Sequence, residues 1–329
     1  MRTARNPLVG KVVMLLVGLG GLGMWLASGK DAEPRPPGPV AKAAPPRLVG
    51  LSIHMTTDDY GQYLVKAFRE TLGAAGVQSL ITDARADARQ QKEDLQRHIA
   101  RKVDALVIVP FDDQLLTQET HQAMDAGIPV VAITSMPGSR VTTTILGREY
   151  GNGYDAGQFM ARRLGGQGKV MMIDVPTQLT RIQLRLEGFR DAIRDSRMEL
   201  VAVKKAVSKD GCMAAVEQVL REHPDLQGIF APYGTALIGA ASAIRVRGRP
   251  DIVITGIDAD HEVLKLIGDG WVAATLAQYP SEHGRLAAEA VLRILRDEPP
   301  DTSVEAPFQL VTQDNAAKMS RELWQRELH

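Results

Sequence analysis

LVGLSI (48–53), YGQYLVKAFRETLGA (60–74), QSLIT (78–82), DARQQKEDLQRHIAR (87–101) and DALVIV (104–109) carry the chain through a strand, a helix, a strand, a helix and a strand. The short runs are continuously apolar or β-branched, as in strands buried on both faces. The longer runs repeat their apolar positions at helical spacing. Such alternation builds a parallel sheet covered by helices on both sides. The pattern continues downstream. Further strands are predicted at 129–134, 142–146, 169–173, 199–203, 227–231, 252–257 and 272–277. Helices are predicted at 115–126, 150–164, 180–195, 212–222, 234–246 and 281–296. About ten strands exceed what one average three-layer domain holds, so two doubly wound lobes are the economical solution, dividing near 147–150. An eight-stranded α/β barrel fits this count and spacing less well.

Upstream of Arg47 the composition changes. Arg2, Arg5 and Lys11 precede sixteen uncharged residues, Val12 to Ala27, followed by Ser28 and Gly29. A charged start, an apolar middle and small residues near a cleavage point describe a secretory signal. Sixteen residues fall between a signal's apolar region and the ~20 of a spanning helix. Residues 1–29 therefore read as a signal peptide or, if uncleaved, a membrane anchor. Either way the body is placed on the periplasmic or extracytoplasmic face, since the cations hold the N-terminus inside. No cysteine follows to carry a lipid. Residues 30–46 are a Pro-rich linker, with six prolines between Glu33 and Pro46, suited to an extended polyproline spacer. Gly18, Gly20 and Gly23 satisfy GxGxxG. The prolines begin too soon afterwards for a βαβ unit, so the glycines belong to the signal.

Composition excludes several functions. Lys plus Arg and Asp plus Glu are both 39, so no basic face is offered to a nucleic acid. One cysteine, Cys212, rules out an internal disulfide, a cysteine zinc cluster and a CxxC pair. It lies on a turn at a helix start, where a lowered pKa is conceivable but an incidental residue is expected. The histidines have no HExxH spacing, and GxSxG and P-loop motifs are missing. No catalytic residue, metal site or cofactor is expected. Trp271 and Trp324 read as packing residues, the second in an amphipathic segment (314–327) that should dock on a lobe.

In open parallel sheets ligands bind beyond the carboxyl ends of the strands. Those positions hold His54, Thr56, Thr57, Asp58, Asp59 and Tyr60, then Asp112 and Asp113, then Thr134 and Ser135. In the second half they hold Thr177 to Arg181, Tyr233, Asp258 and Asp260. Carboxylates that accept paired hydroxyls, beside rings that cover C–H faces, suit a neutral polyhydroxylated molecule. Asp, Ser and Thr are also the preferred N-caps, and Asp58, Asp112, Thr180 and Asp260 read first as caps. Asp258, after a buried strand, reads as a ligand contact.

Several segments together resemble the type I periplasmic binding proteins of the ribose/galactose class, whose core is shared with lactose-repressor-type regulators. They are HPDLQGIFAPYGTALIGAASAI (223–244), DIVITGIDAD (251–260), DGWVAATLAQYPSEHGRLAAEAVLRIL (269–295) and RLEGFRDAI (185–193), with GIPVVAI (127–133) and the helix 62–76 ending in AAG. The resemblance spans residues 47–311, collinearly. It implies two Rossmann-like lobes with parallel sheets, joined by a three-strand hinge. The lobes would be 47–147 plus 279–305 and 148–278 plus 306–329. It further implies that Asp258 holds the family's acid after the strand and Gln278 its hinge glutamine, while Tyr60 matches part of an aromatic pair. Thr134 and Ser135 replace an Asp-Arg pair, Gln183 replaces an arginine (with Arg181 and Arg185 nearby), and Tyr233-Gly234 replaces Asn-Asp. These losses remove most of the charged clamp for pyranose hydroxyls, so a sugar-like ligand is expected rather than an ordinary pentose or hexose. The implied function is an exported solute-binding protein, not an enzyme, that delivers its ligand to an ABC-type permease. The alternative is a sensory protein presenting it to a membrane receptor or histidine kinase. No helix-turn-helix precedes the body, which disfavours a regulator.

Overall fold

The computed structural model describes residues 47–176 and 179–325. The signal and linker assigned above lie outside these, as does Thr177. The first sheet contains β1 (Leu48–Ile53), β2 (Gln78–Asp83), β3 (Ala105–Val109), β4 (Val130–Ile133), β5 (Thr143–Leu146) and β11 (Ser303–Glu305), in the order β11-β5-β4-β3-β1-β2. The second contains β6 (Gln167–Asp174), β7 (Arg197–Lys205), β8 (Leu226–Ala231), β9 (Val253–Ile257), β10 (Ala274–Gln278) and β12 (Phe308–Val311), in the order β12-β10-β9-β8-β6-β7. The second sheet repeats the first, so β4 and β9 occupy equivalent places. Every pairing is parallel except that of β12 with β10, an antiparallel edge the sequence pattern did not reveal.

Helices cover both faces. The first lobe uses α1 (Asp59–Ala74), α2 (Ala88–Ala100), α3 (Thr117–Asp125) and α9 (Pro280–Leu295). The second uses α4 (Glu149–Arg163), α5 (Thr180–Ile193), α6 (Lys209–Glu222), α7 (Gly234–Arg247), α8 (His261–Gly268) and α10 (Ala316–Trp324). Burial explains the strand composition: all five residues of β3 are inaccessible because α1 and α9 lie on one face and α2 and α3 on the other. The second lobe has the same two half-cores, with Ile229 and Ala231 of β8 facing one and Phe230 the other. The chain passes from the first sheet to the second between β5 and α4, returns between β10 and α9, and crosses again between β11 and β12. Those crossings meet at the base of the cleft, where Phe308 packs beside Gly147.

One helix pair, α4 and α5, approaches so closely that only glycine fits at two positions. A Cβ on Gly153 of α4 would run into the carbonyl oxygen of Arg185 on α5, and one on Gly188 of α5 would meet the carbonyl oxygen of Tyr150. Both obstacles are backbone, which cannot swing aside as a side chain can. Gly153→Ala should therefore destabilise the fold by about 1–3 kcal/mol, as overpacking does. This is despite alanine's better helix propensity, which alone would stabilise by ~1 kcal/mol. An unchanged or raised urea midpoint would contradict this packing.

Cys212 is not on a surface turn. It lies in the first turn of α6, fully buried, with its Sγ 3.6 Å from the Tyr233 hydroxyl. Burial pushes its thiol pKa up, against the lowering a helix start would favour. Trp271 packs against the second lobe with Arg245 over its ring.

Candidate functional site

The strands of both sheets point their carboxyl ends at a shared cleft, and the residues that follow them form its walls. The cleft holds a cavity of about 660 Å³, within the usual range for small-molecule sites. Asp58, Tyr60, Thr134, Tyr233, Asp258 and Gln278 line it.

Thr134 and Asp258 end the equivalent strands β4 and β9, and both take positive φ, +88° and +81°. For threonine this is a costly conformation, and such strain concentrates at functional sites. It is held by the ladder: Thr134 donates its N–H to Ile145 and Asp258 donates its N–H to Leu276, at 2.9 and 3.0 Å. The turn in the backbone carries each side chain off the sheet and towards the cleft.

Asp258 is the centre of the second wall. One carboxylate oxygen accepts the Gly234 N–H at the start of α7 (3.1 Å), and the other accepts the Gln278 amide (2.5 Å). The N-terminal end of α7 favours this negative charge. A Cβ on Gly234 would meet the tip of the Asp260 carboxyl, which would have to shift to admit it. Arg185 lies 4.0 Å from Asp258, donates to Glu149 at 2.6 Å and to the Pro232 carbonyl at 2.8 Å, and is 2% exposed. The chain Glu149–Arg185–Asp258–Gln278 thus runs from one crossing segment to another through the ligand wall.

In the first wall, Asp58 caps α1 through the Gly61 N–H at 2.7 Å, and burial raises its pKa. The Tyr60 hydroxyl sits 2.7 Å from Nδ1 of His283, on α9. Burial drives the His283 pKa down to about 4 and that of His54 to about 3, so both are neutral, and it raises that of Tyr60. Asp260 is pushed up to about 8, by burial first and then by Asp258, Asp58, Asp59 and Glu262. For His283, whose folded pKa lies below its unfolded one, the unfolded chain takes up a proton that the fold refuses. Stability should fall as pH drops from about 6.5 towards 4. His283→Gln should then reduce the loss of stability between pH 7 and pH 5 by roughly 1–2 kcal/mol. Equal urea midpoint shifts in the two proteins would refute it.

Three other expected residues lie elsewhere. The Asp59 carboxylate accepts the His261 N–H at the start of α8 (3.3 Å), across the lobes. Gln183 turns away to Asp174, at 3.0 Å. Ser135 is not among the lining residues. Asp112 caps the turn at Gln114 and Leu115, and Asp113 accepts from Thr180 of the opposite lobe. Arg181 reaches the Pro110 carbonyl and Tyr63 the Trp324 carbonyl, so among the described residues polar contacts bridge the lobes at several points. Arg181, expected at a strand end, lines the cavity, and Arg185, Glu149, His283, Phe111 and Trp324 line it without having been singled out as ligand contacts from sequence. For the arginines the signal existed, since both neighbour Gln183 in the segment that carried the resemblance. Trp324 is buried with its indole N–H on the Ala259 carbonyl, joining packing to the cavity wall. Tyr233 offers only its ring, its hydroxyl being donated to the Ala206 carbonyl at 2.5 Å. Among the described residues no group of three His, Cys, Asp or Glu is placed to hold a metal ion, and no helix is long and apolar enough to cross a membrane.

Comparison with known proteins agrees with this architecture. Residues 49–299 match the family described as periplasmic binding protein domain. The ribose import binding protein of Bacillus subtilis (strain 168) is 30% identical over 267 residues, 80% of this chain and 87% of that protein. The solved structure of AraP, an arabinose binding protein from Geobacillus stearothermophilus, has a TM-score of 0.73 at 28% identity, covering 83% of this chain and 98% of that one. A sugar-binding protein of a sugar ABC transporter from Bacillus halodurans gives 0.77 at 26% identity, covering 83% and 99%. Since the family match runs through both lobes and both walls of the cleft, the chain belongs to the type I periplasmic binding proteins, a family of binding proteins rather than enzymes.

Proposed function

We propose that this protein is an exported solute-binding protein that captures one small polyhydroxylated molecule between its lobes and hands it to an ABC-type permease. The observation that carries this reading is the cavity itself, in which Asp258 and Gln278 sit at a crossing while Tyr60 and Thr134 stand on the opposite lobe. A ligand touching both walls makes contacts only the closed form provides, and so shifts the population towards it. The names of the relatives, ribose and arabinose binding proteins, favour a sugar or sugar-like ligand. The charged head at residues 1–29 supports export. The division into 47–147 plus 279–305 and 148–278 plus 306–329 gives the bodies that close. Gln183 and Ser135, first expected at the ligand, are not among the residues lining the cavity.

A thermal-shift screen across pentoses, hexoses and polyols tests this. A binder at 100 times its Kd should stabilise the protein by about 2.7 kcal/mol. Binding confined to molecules without hydroxyl groups would overturn it. An intact chain beginning at Met1 in the cytoplasm of the native cell would overturn export.

A further inference from the structure

The acidic and basic side chains lining the cavity are Asp58, Glu149, Arg181, Arg185, Asp258 and Asp260. Glu149 and Arg185 form a buried pair, and Arg181 faces Asp113 and the Pro110 carbonyl where the lobes meet. That leaves Asp58, Asp258 and Asp260 converging from α1, the end of β9 and the start of α8. Arg185 lies 4.0 Å from Asp258 and is already engaged by Glu149. Asp58 and Asp258 take backbone N–H groups, whereas the Asp260 carboxyl, at an N-cap position, makes no capping hydrogen bond. A separate feature on the same wall also calls for a partner. His283 is 3% exposed, its Nδ1 is engaged by Tyr60, and its Nε2 has no partner. With the phenol O–H donating to Nδ1, Nε2 carries the hydrogen and seeks an acceptor oxygen.

Resting on the reading that the cleft binds a polyol, we propose that its ligand carries a protonated amine, seated among Asp58, Asp258 and Asp260, with a hydroxyl or ether oxygen within reach of His283. A neutral sugar supplies hydroxyl donors to these acids but leaves Asp260 held in its protonated form. An ammonium group supplies three donors and a positive charge together. Bringing that charge in would also return Asp260 to its ionised form, since its carboxyl is held protonated by burial and by the neighbouring acids.

The test is calorimetry with matched pairs: D-glucosamine against D-glucose, D-galactosamine against D-galactose, and an aminodeoxyinositol against myo-inositol. At neutral pH at least one amine should bind tenfold or more tightly than its hydroxyl counterpart, the scale of a hydrogen bond to a charged group. That ratio should shrink in Asp260→Asn and, as a second variant, in Asp58→Asn. Binding of the neutral members with equal or higher affinity would overturn the amine while leaving the polyol reading intact. Binding by no member of either series would count against both.

Discussion

Arg185→Ala should cost about 3–5 kcal/mol of stability, the scale of removing one partner from a buried ion pair. The arginine is 2% exposed and its partner Glu149 is 6% exposed. Without it the buried Glu149 carboxyl loses its cation, and the Pro232 carbonyl loses its donor. Urea unfolding reads the effect directly. The double variant Arg185→Met, Glu149→Gln should recover part of the loss, because no charge is then stranded. Equal stabilities for wild type and Arg185→Ala would mean that the pair is solvated and that the two crossing segments are not joined through it.

Asp258→Ala should weaken ligand binding by roughly 10- to 150-fold, since hydrogen bonds to a charged group contribute about 1.5–3 kcal/mol and each 1.4 kcal/mol is a factor of ten. The residue also holds the Gly234 N–H and the Gln278 amide, so part of the loss is disorder at the wall. Alanine is additionally strained at φ +81°. Asp258→Asn tolerates that backbone and keeps the shape while removing the charge, so it separates the two causes. Calorimetry with the best ligand from the screen decides: unchanged affinity in both variants would place the ligand elsewhere.

The strands of both sheets announced themselves because they are buried on two faces, as in Ala105–Val109, where no polar residue interrupts the run. The edge strands Ser303–Glu305 and Phe308–Val311 did not, being short and half-exposed. The eight-residue helix at His261 was also missed, too brief for its period to stand out from the loop before it. Within the site, rules about strand ends found Thr134 and Asp258 because topology places them there in any such sheet. They failed at Asp59, and Gln183, expected from the resemblance, turns to Asp174 instead. Adjacent residues at a helix start point in different directions, and Asp59 is drawn to the opposite helix while Tyr60 enters the cleft. Arg185 and His283 lie within helices rather than at strand ends, where a rule about strand ends does not look.

The central claim is that two lobes close on a ligand they share. Small-angle scattering of the protein with and without a saturating concentration of the screened ligand tests it most directly. The expected result is a smaller radius of gyration with ligand, as contacts such as Thr180 with Asp113 and Tyr63 with the Trp324 carbonyl form across the cleft. Identical scattering curves at saturation, with binding confirmed in the same sample, would contradict it.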